Sequence, residues 1–187
     1  MKNLLLLLCI CISYTSYAQV AKPIREPSTT RYLKDMYQYI KDKARRNQYY
    51  MNEFIINTNS FSAKKNALNH KAYFFYYGLA GDGSPLLRLI TLVQKTEKTE
   101  SRIDFMYDQD GNLGYSFEKL TGSSLSYKEI QVFYEKELCI NLIVDQEVVH
   151  RRDTAPYQNK IDEFKKVGKE VYKKFFEDQE GIKASDK

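Results

Sequence analysis

The chain carries 187 residues, with 29 Lys and Arg against 24 Asp and Glu for a formal charge of +5, three cysteines and two histidines. This length suits one domain large enough to bury a core. Acidic residues are mixed among the basic ones, so no sustained basic stripe tracks a phosphate backbone, which argues against nucleic acid as a partner.

Met1-Lys2-Asn3 is a minimal positive start, Leu4 to Ile12 is an unbroken apolar run, and Ser16-Tyr17-Ala18 puts small residues at the first and third places before a cut. The run is too short to span a membrane, and residues 1–18 read as a secretory signal peptide. Cys9 and Cys11 follow Leu8 and Ile10 rather than a small residue, so lipidation is not expected. The Ala18-Gln19 junction resembles the cut site of exported proteins from Bacteroidota-type bacteria. Removing residues 1–18 from 187 leaves 169 and lowers the charge to +4, because Lys2 is the only charge lost. Cys139 is then the only cysteine, so no intramolecular disulfide can form. No later stretch is long and apolar enough for a transmembrane helix, and the expected destination is the periplasm or the exterior.

Residues 19–27 hold Pro23 and Pro27 without an apolar period and read as a linker or arm. Ser28, Thr29 or Thr30 can cap a helix that starts there. Leu33, Met36, Tyr37, Ile40 and Ala44 recur at three and four residues, which predicts a helix of about four turns, and Lys41, Lys43, Arg45 and Arg46 suit the negative end of its dipole. Tyr49 to Thr58, rich in aromatic and β-branched residues, predicts a first strand, and Asn59 to His70 a polar connection. Ala72 to Leu79 is apolar on both faces. Gly81-Asp82-Gly83-Ser84-Pro85 predicts a turn. Leu86 to Val93 is again apolar on both faces apart from Arg88 and Thr91.

A meander comes after a charged turn at Lys95 to Glu100. Ile103, Phe105 and Tyr107 alternate with Arg102, Asp104 and Met106. The turn formers Asp108-Gln109-Asp110-Gly111-Asn112 come next. Leu113, Tyr115 and Phe117 resume the alternation, as do Ile130, Val132 and Tyr134, then Leu138 to Val144. Asp153-Thr154-Ala155-Pro156 offers a cap and an early proline to a last helix. Tyr157, Ile161, Phe164, Val167, Val171 and Phe175 form its stripe, and a charged tail is expected to fray after Phe176. The order predicts an α+β class: an antiparallel meander of about seven strands, with an N-terminal helix and a C-terminal amphipathic helix packed on it. The single domain spans 28–178, with a charged tail over 179–187. Strands apolar on both sides need cover on both sides, from two helices or from one helix and a partner or ligand.

Chemistry-bearing motifs are sparse. Asp108-x-Asp110-x-Asn112 opens like a calcium loop, but that loop needs Gly at its sixth place and Glu at its twelfth, where Leu113 and Lys119 stand. A hairpin turn explains every residue instead. His70 and His150 lie far apart without a carboxylate or Cys in ligand spacing, so neither a metal nor a triad is implied. Nucleophile elbows, zinc-protease motifs and phosphate-cradling glycine loops are absent. Asp104, Glu118 and Glu129 fall on the polar phase of strands, where solvation is the expectation. Cys139 between Leu138 and Ile140 reads as a small apolar filler. No cofactor is implied.

The aromatics remain. With Tyr14 and Tyr17 in the leader, 14 of 16 tyrosines and all 10 phenylalanines belong to the mature chain. Tyr73, Phe75 and Tyr77 share one face of a strand, Phe74 and Tyr76 the other. One of these phases, rimmed by Arg88 and Asn141, is the candidate surface for a partner protein, a second copy or a small apolar or aromatic ligand. The meander, with its tyrosine-rich strand, its Asp-x-Asp-Gly-Asn-Leu turn and its final helix, resembles a loose group of exported α+β proteins of Bacteroidota-type bacteria. That resemblance spans Phe105 to Phe117, Ile130 to Val144 and Pro156 to Phe175, and it implies no activity. The leading expectation is an exported, non-enzymatic binding protein. The alternatives are a hydrolase built from scattered carboxylates and His150, and a structural envelope component.

Overall fold

The computed structural model describes residues 28–57, 70–96, 98–122 and 125–185. The expected signal peptide, the arm over 19–27 and nearly all of the polar connection before His70 lie outside the described residues.

Helix α1 (Ser28–Arg45) precedes eight strands: β1 (Tyr50–Asn57), β2 (His70–Leu79), β3 (Pro85–Lys95), β4 (Thr99–Tyr107), β5 (Leu113–Gly122), β6 (Glu129–Glu135), β7 (Leu138–Val144) and β8 (Glu147–Val148). Helix α2 (Gln158–Ser185) closes the chain. Every strand pairs antiparallel with its sequence neighbour, so the sheet runs in chain order from β1 to β8 and stays open. The α+β meander is thus the one that the alternation predicts, with the two-residue β8 as an extra strand. Turns of different chemistry set the register. Asp108 Oδ1 accepts from the N–H groups of Asp110 and Asn112 at 2.9 and 2.8 Å, which closes the β4–β5 hairpin. The β6–β7 and β7–β8 turns are two-residue connections, Lys136-Glu137 and Asp145-Gln146, all at positive φ. Such turns match the strand twist, at a steric cost for residues other than glycine.

Each helix covers one face of the sheet. Leu33, Tyr37 and Ile40 of α1 pack on Leu89, Met106, Tyr115, Phe133 and Ile143. Ile161, Phe164, Val171 and Phe175 of α2 pack on Phe75, Ile90, Phe105, Ile130 and Val132. Apolar residues therefore fill both phases of the central strands, because both sides of the sheet are layered. The close approach of α2 requires Gly168. A Cβ there would sit 3.2 Å from Leu113 and 3.3 Å from Phe105, and the Tyr107 hydroxyl donates to the Gly168 carbonyl at 2.7 Å.

Two expectations change. Asp104 and Glu118 are not solvated: they are 0 % and 3 % exposed. The polar phase of β4 lies under α1, and that of β5 under α2, so helices replace water there. Second, α2 does not start on a Thr154 cap. Two short 3₁₀ turns, Arg151–Asp153 and Ala155–Tyr157, precede it. Thr154 has helical backbone angles, whereas an N-cap needs the extended region, and its hydroxyl donates to the Arg151 carbonyl instead. Helix α2 extends to Ser185, with a Lys173–Glu177 pair at 3.1 Å along its outer face.

Candidate functional site

The aromatic strand β2 lies next to the sheet edge. Its two phases do different work. Tyr73, Phe75 and Tyr77 face α2; Phe75 stacks on Phe175 at a ring-centre distance of 5.5 Å, and Tyr77 meets it tilted at 5.2 Å. Phe75 is buried, while Tyr73 and Tyr77 are half-buried. On the opposite face Tyr76 packs against the α1 cluster, and Phe74 is half-buried. Neither phase is sealed.

β1 sits outside β2 and pairs on one side only among the described residues. The register sets Tyr50 against Tyr77 and Phe54 against Tyr73, and on the other face Met51 against Tyr76 and Ile55 against Ala72. These four β1 side chains are 40 to 57 % exposed. The edge therefore presents apolar groups on both faces. An open cleft of about 390 Å³ runs between Asn52, Phe54, Phe75, Phe175 and Asp178, and Lys174 rests 3.9 Å above the Phe54 ring.

The proposed polar rim is not brought together. Arg88 stands on β3 beside α1, its Nη2 at 3.7 Å from Met36 Sδ. Asn141 lies on β7, five strands from β2, or about 24 Å at the usual strand spacing. Its Oδ1 accepts from the Leu142 N–H at 3.0 Å, a local contact. The enclosed Arg88 Nε and Asn141 Nδ2 have no hydrogen-bond partner.

Two buried carboxylates form the strongest polar constellations. Asp104 accepts from the Tyr37 hydroxyl at 2.5 Å and from the Thr91 hydroxyl at 2.6 Å. Arg102 Nε and Lys41 Nζ stand 3.4 and 3.7 Å away. Burial, then the Asp104 charge, pushes the Tyr37 pKa far above the usual tyrosine range. Glu118 accepts from Ser101 at 2.9 Å and Tyr127 at 2.6 Å, with Lys160 Nζ at 3.0 Å. The carboxylates face opposite sides of the sheet, so they cannot act as an acid–base pair. Each instead fastens a helix to it. His150 is exposed at the start of a 3₁₀ turn, and no group of three His, Cys, Asp or Glu gathers among the described residues. Cys139 is half-buried, and burial raises its pKa, which disfavours the thiolate a nucleophile needs.

A third feature lay beyond sequence reasoning. Where α2 passes the ends of β4, β5 and β6, it leaves a cavity of about 110 Å³ lined by Tyr107, Leu113, Tyr134 and Tyr172, with Lys165 and Lys169 also in its wall. Its lining comes from four separate segments, and no spacing in the chain announces that they meet. The one local signal is Gly111, at φ +82°, where a Cβ would collide with the Tyr172 hydroxyl.

No known family model, curated protein or solved structure matches the chain. The described residues thus offer an exposed apolar edge, two buried carboxylate clamps and a tyrosine-lined cavity.

Proposed function

We propose that the chain is exported, with cleavage after Ala18, and acts as a non-enzymatic binding protein through the aromatic edge of its sheet. The observation that carries this reading is β1. Four large apolar side chains project from both faces of an edge strand, beside a second strand whose rings, Phe75 apart, are half-buried. Soluble proteins usually blunt such edges with charge, proline or bulges, yet Glu53 is the only charge in this strand. An extended segment of a partner protein satisfies both demands at once. Its backbone pairs with the side of β1 that no described strand occupies, and its alternating side chains cover Tyr50 and Phe54 on one face and Met51 and Ile55 on the other.

A photo-crosslinking amino acid placed at Ile55 in the producing cell tests this, with Lys173 on the outer face of α2 as control. The expected result is a discrete adduct from position 55 and none from 173. A crosslink to a second copy would identify the partner as this same chain. Equal, diffuse labelling at both positions would remove the edge as a binding surface. Export is read separately: the intact mass of the secreted product should begin at Gln19, and a product keeping residues 1–18 or carrying a lipid would contradict it.

A further inference from the structure

The cavity beneath α2 is distinct from the β1 edge and asks for a different occupant. Its walls are fixed by contacts already described. Gly168 lets the helix settle on Leu113, the Tyr107 hydroxyl is tied to the Gly168 carbonyl, and Gly111 makes room for the Tyr172 hydroxyl. The Tyr107 and Tyr172 rings lie 4.9 Å apart at the wall. About 110 Å³ is the scale of one small ring, since a dry cavity of about 150 Å³ takes benzene.

One polar feature qualifies the apolar walls. Lys165 and Lys169 also line the cavity, against Glu137 alone. Their present partners are surface carboxylates, Asp162 at 3.0 Å and Glu137 at 2.8 Å, with Glu137 and Lys169 each more than half exposed. Exposed pairs of this kind are weak, so both lysines can turn to a bound anion at little cost.

We propose that this cavity binds a small aromatic acid. The single ring sits between Tyr107, Leu113, Tyr134 and Tyr172, and the carboxylate lies at Lys165 and Lys169. Neither the aromatic edge nor its partner is needed for this, so the two readings stand or fall separately.

Titration of the full chain with 4-hydroxybenzoate, benzoate and phenol, followed by calorimetry and by NMR shifts, tests the assignment. The expected result is saturable binding of both acids, with Kd below about 1 mM for so small a ligand, shifts centred on Leu113 and Tyr172, and phenol at least about tenfold weaker. The double variant Lys165→Gln, Lys169→Gln should weaken both acids about three- to tenfold, and since neither side chain is buried the fold is spared. Leu113→Phe should fill the cavity and abolish binding. If that variant does not fold, the lysine variant still decides. No saturation at 10 mM, equal binding of phenol, or binding indifferent to the lysine and Leu113 changes would overturn the proposal.

Discussion

Asp104 shows how much a single residue can do when its surroundings differ from those its strand position suggests. Alternation along β4 assigns it to the polar phase, and the sheet keeps that assignment; the difference is that α1 lies over that phase. The carboxylate then holds Tyr37 and Thr91 by short hydrogen bonds and keeps two cations within 4 Å. Hydrogen bonds to a charged group are worth about 1.5–3 kcal/mol each, whereas the half-exposed Arg102 adds little. Tyr37→Phe keeps the ring against Tyr115, 4.6 Å away, so it isolates the hydroxyl and should cost about 1.5–3 kcal/mol in urea unfolding. Asp104→Ala should cost more, about 2–4 kcal/mol, because it strands two buried hydroxyls. A Tyr37→Phe protein as stable as the parent would show that the clamp is dispensable. Gly111 is a second case. Gly111→Ala forces a side chain into positive φ and onto Tyr172, and it should lower the melting temperature, whereas Gly81→Ala, with open space around its Cβ position, should not.

At the scale of elements, the two helices are those that the three-and-four spacing predicts. Of the α2 stripe, Ile161, Phe164, Val171 and Phe175 are buried, whereas Tyr157 and Val167 are half-buried at its margin. Phe164 is 1 % exposed and meets Phe105 edge-on, so Phe164→Ala should cost about 3–5 kcal/mol; an unchanged melting midpoint would make α2 an appended arm. The strands and their order were equally legible, because alternation and turn residues are local signals. The Asp108 turn belongs with them. Its carboxylate is already occupied by two N–H groups and by Asn112 Nδ2 at 3.0 Å, so calcium should leave the melting temperature unchanged, and calcium binding abolished by Asp110→Ala would reverse that reading. Hidden from the sequence was everything that depends on which element covers which face. The burial of Asp104 and Glu118 and the cavity under α2 are set by how the helices lie across the sheet, with α2 running diagonally from Lys160 over β5 to Phe175 over β2. No periodicity within one segment encodes that crossing.

For the molecule as a whole, tyrosine is the residue on which the fold most depends, and it gives the protein a specific weakness towards alkali. Tyr107 is enclosed on the α2 side, and Tyr37 and Tyr115 are packed together on the α1 side. Burial pushes all three pKa values well above the usual range, and the Asp104 charge pushes Tyr37 and Tyr115 further. Burial does the same for Tyr134. A folded-state pKa above the unfolded value of about 10 means that the native state holds the proton more firmly. The associated stability is therefore complete below about pH 10 and drains as the pH climbs towards the folded values. Each such tyrosine removes about 1.4 kcal/mol per pH unit once the unfolded chain ionises, so four together remove about 5–6 kcal/mol by about pH 11, comparable with the whole stability of a typical domain. The expected behaviour is a flat stability profile from neutral pH to about pH 10 and then cooperative unfolding within one to two pH units. Absorbance at 295 nm should rise for the buried tyrosines in the same step in which far-ultraviolet circular dichroism is lost. Tyr107→Phe should shift that step upwards in pH if the variant keeps its packing, because one titrating group has been removed. Ionisation of every tyrosine near pH 10 with the dichroism intact would show that these rings are open to water, and the packing of both helix layers would have to be redrawn.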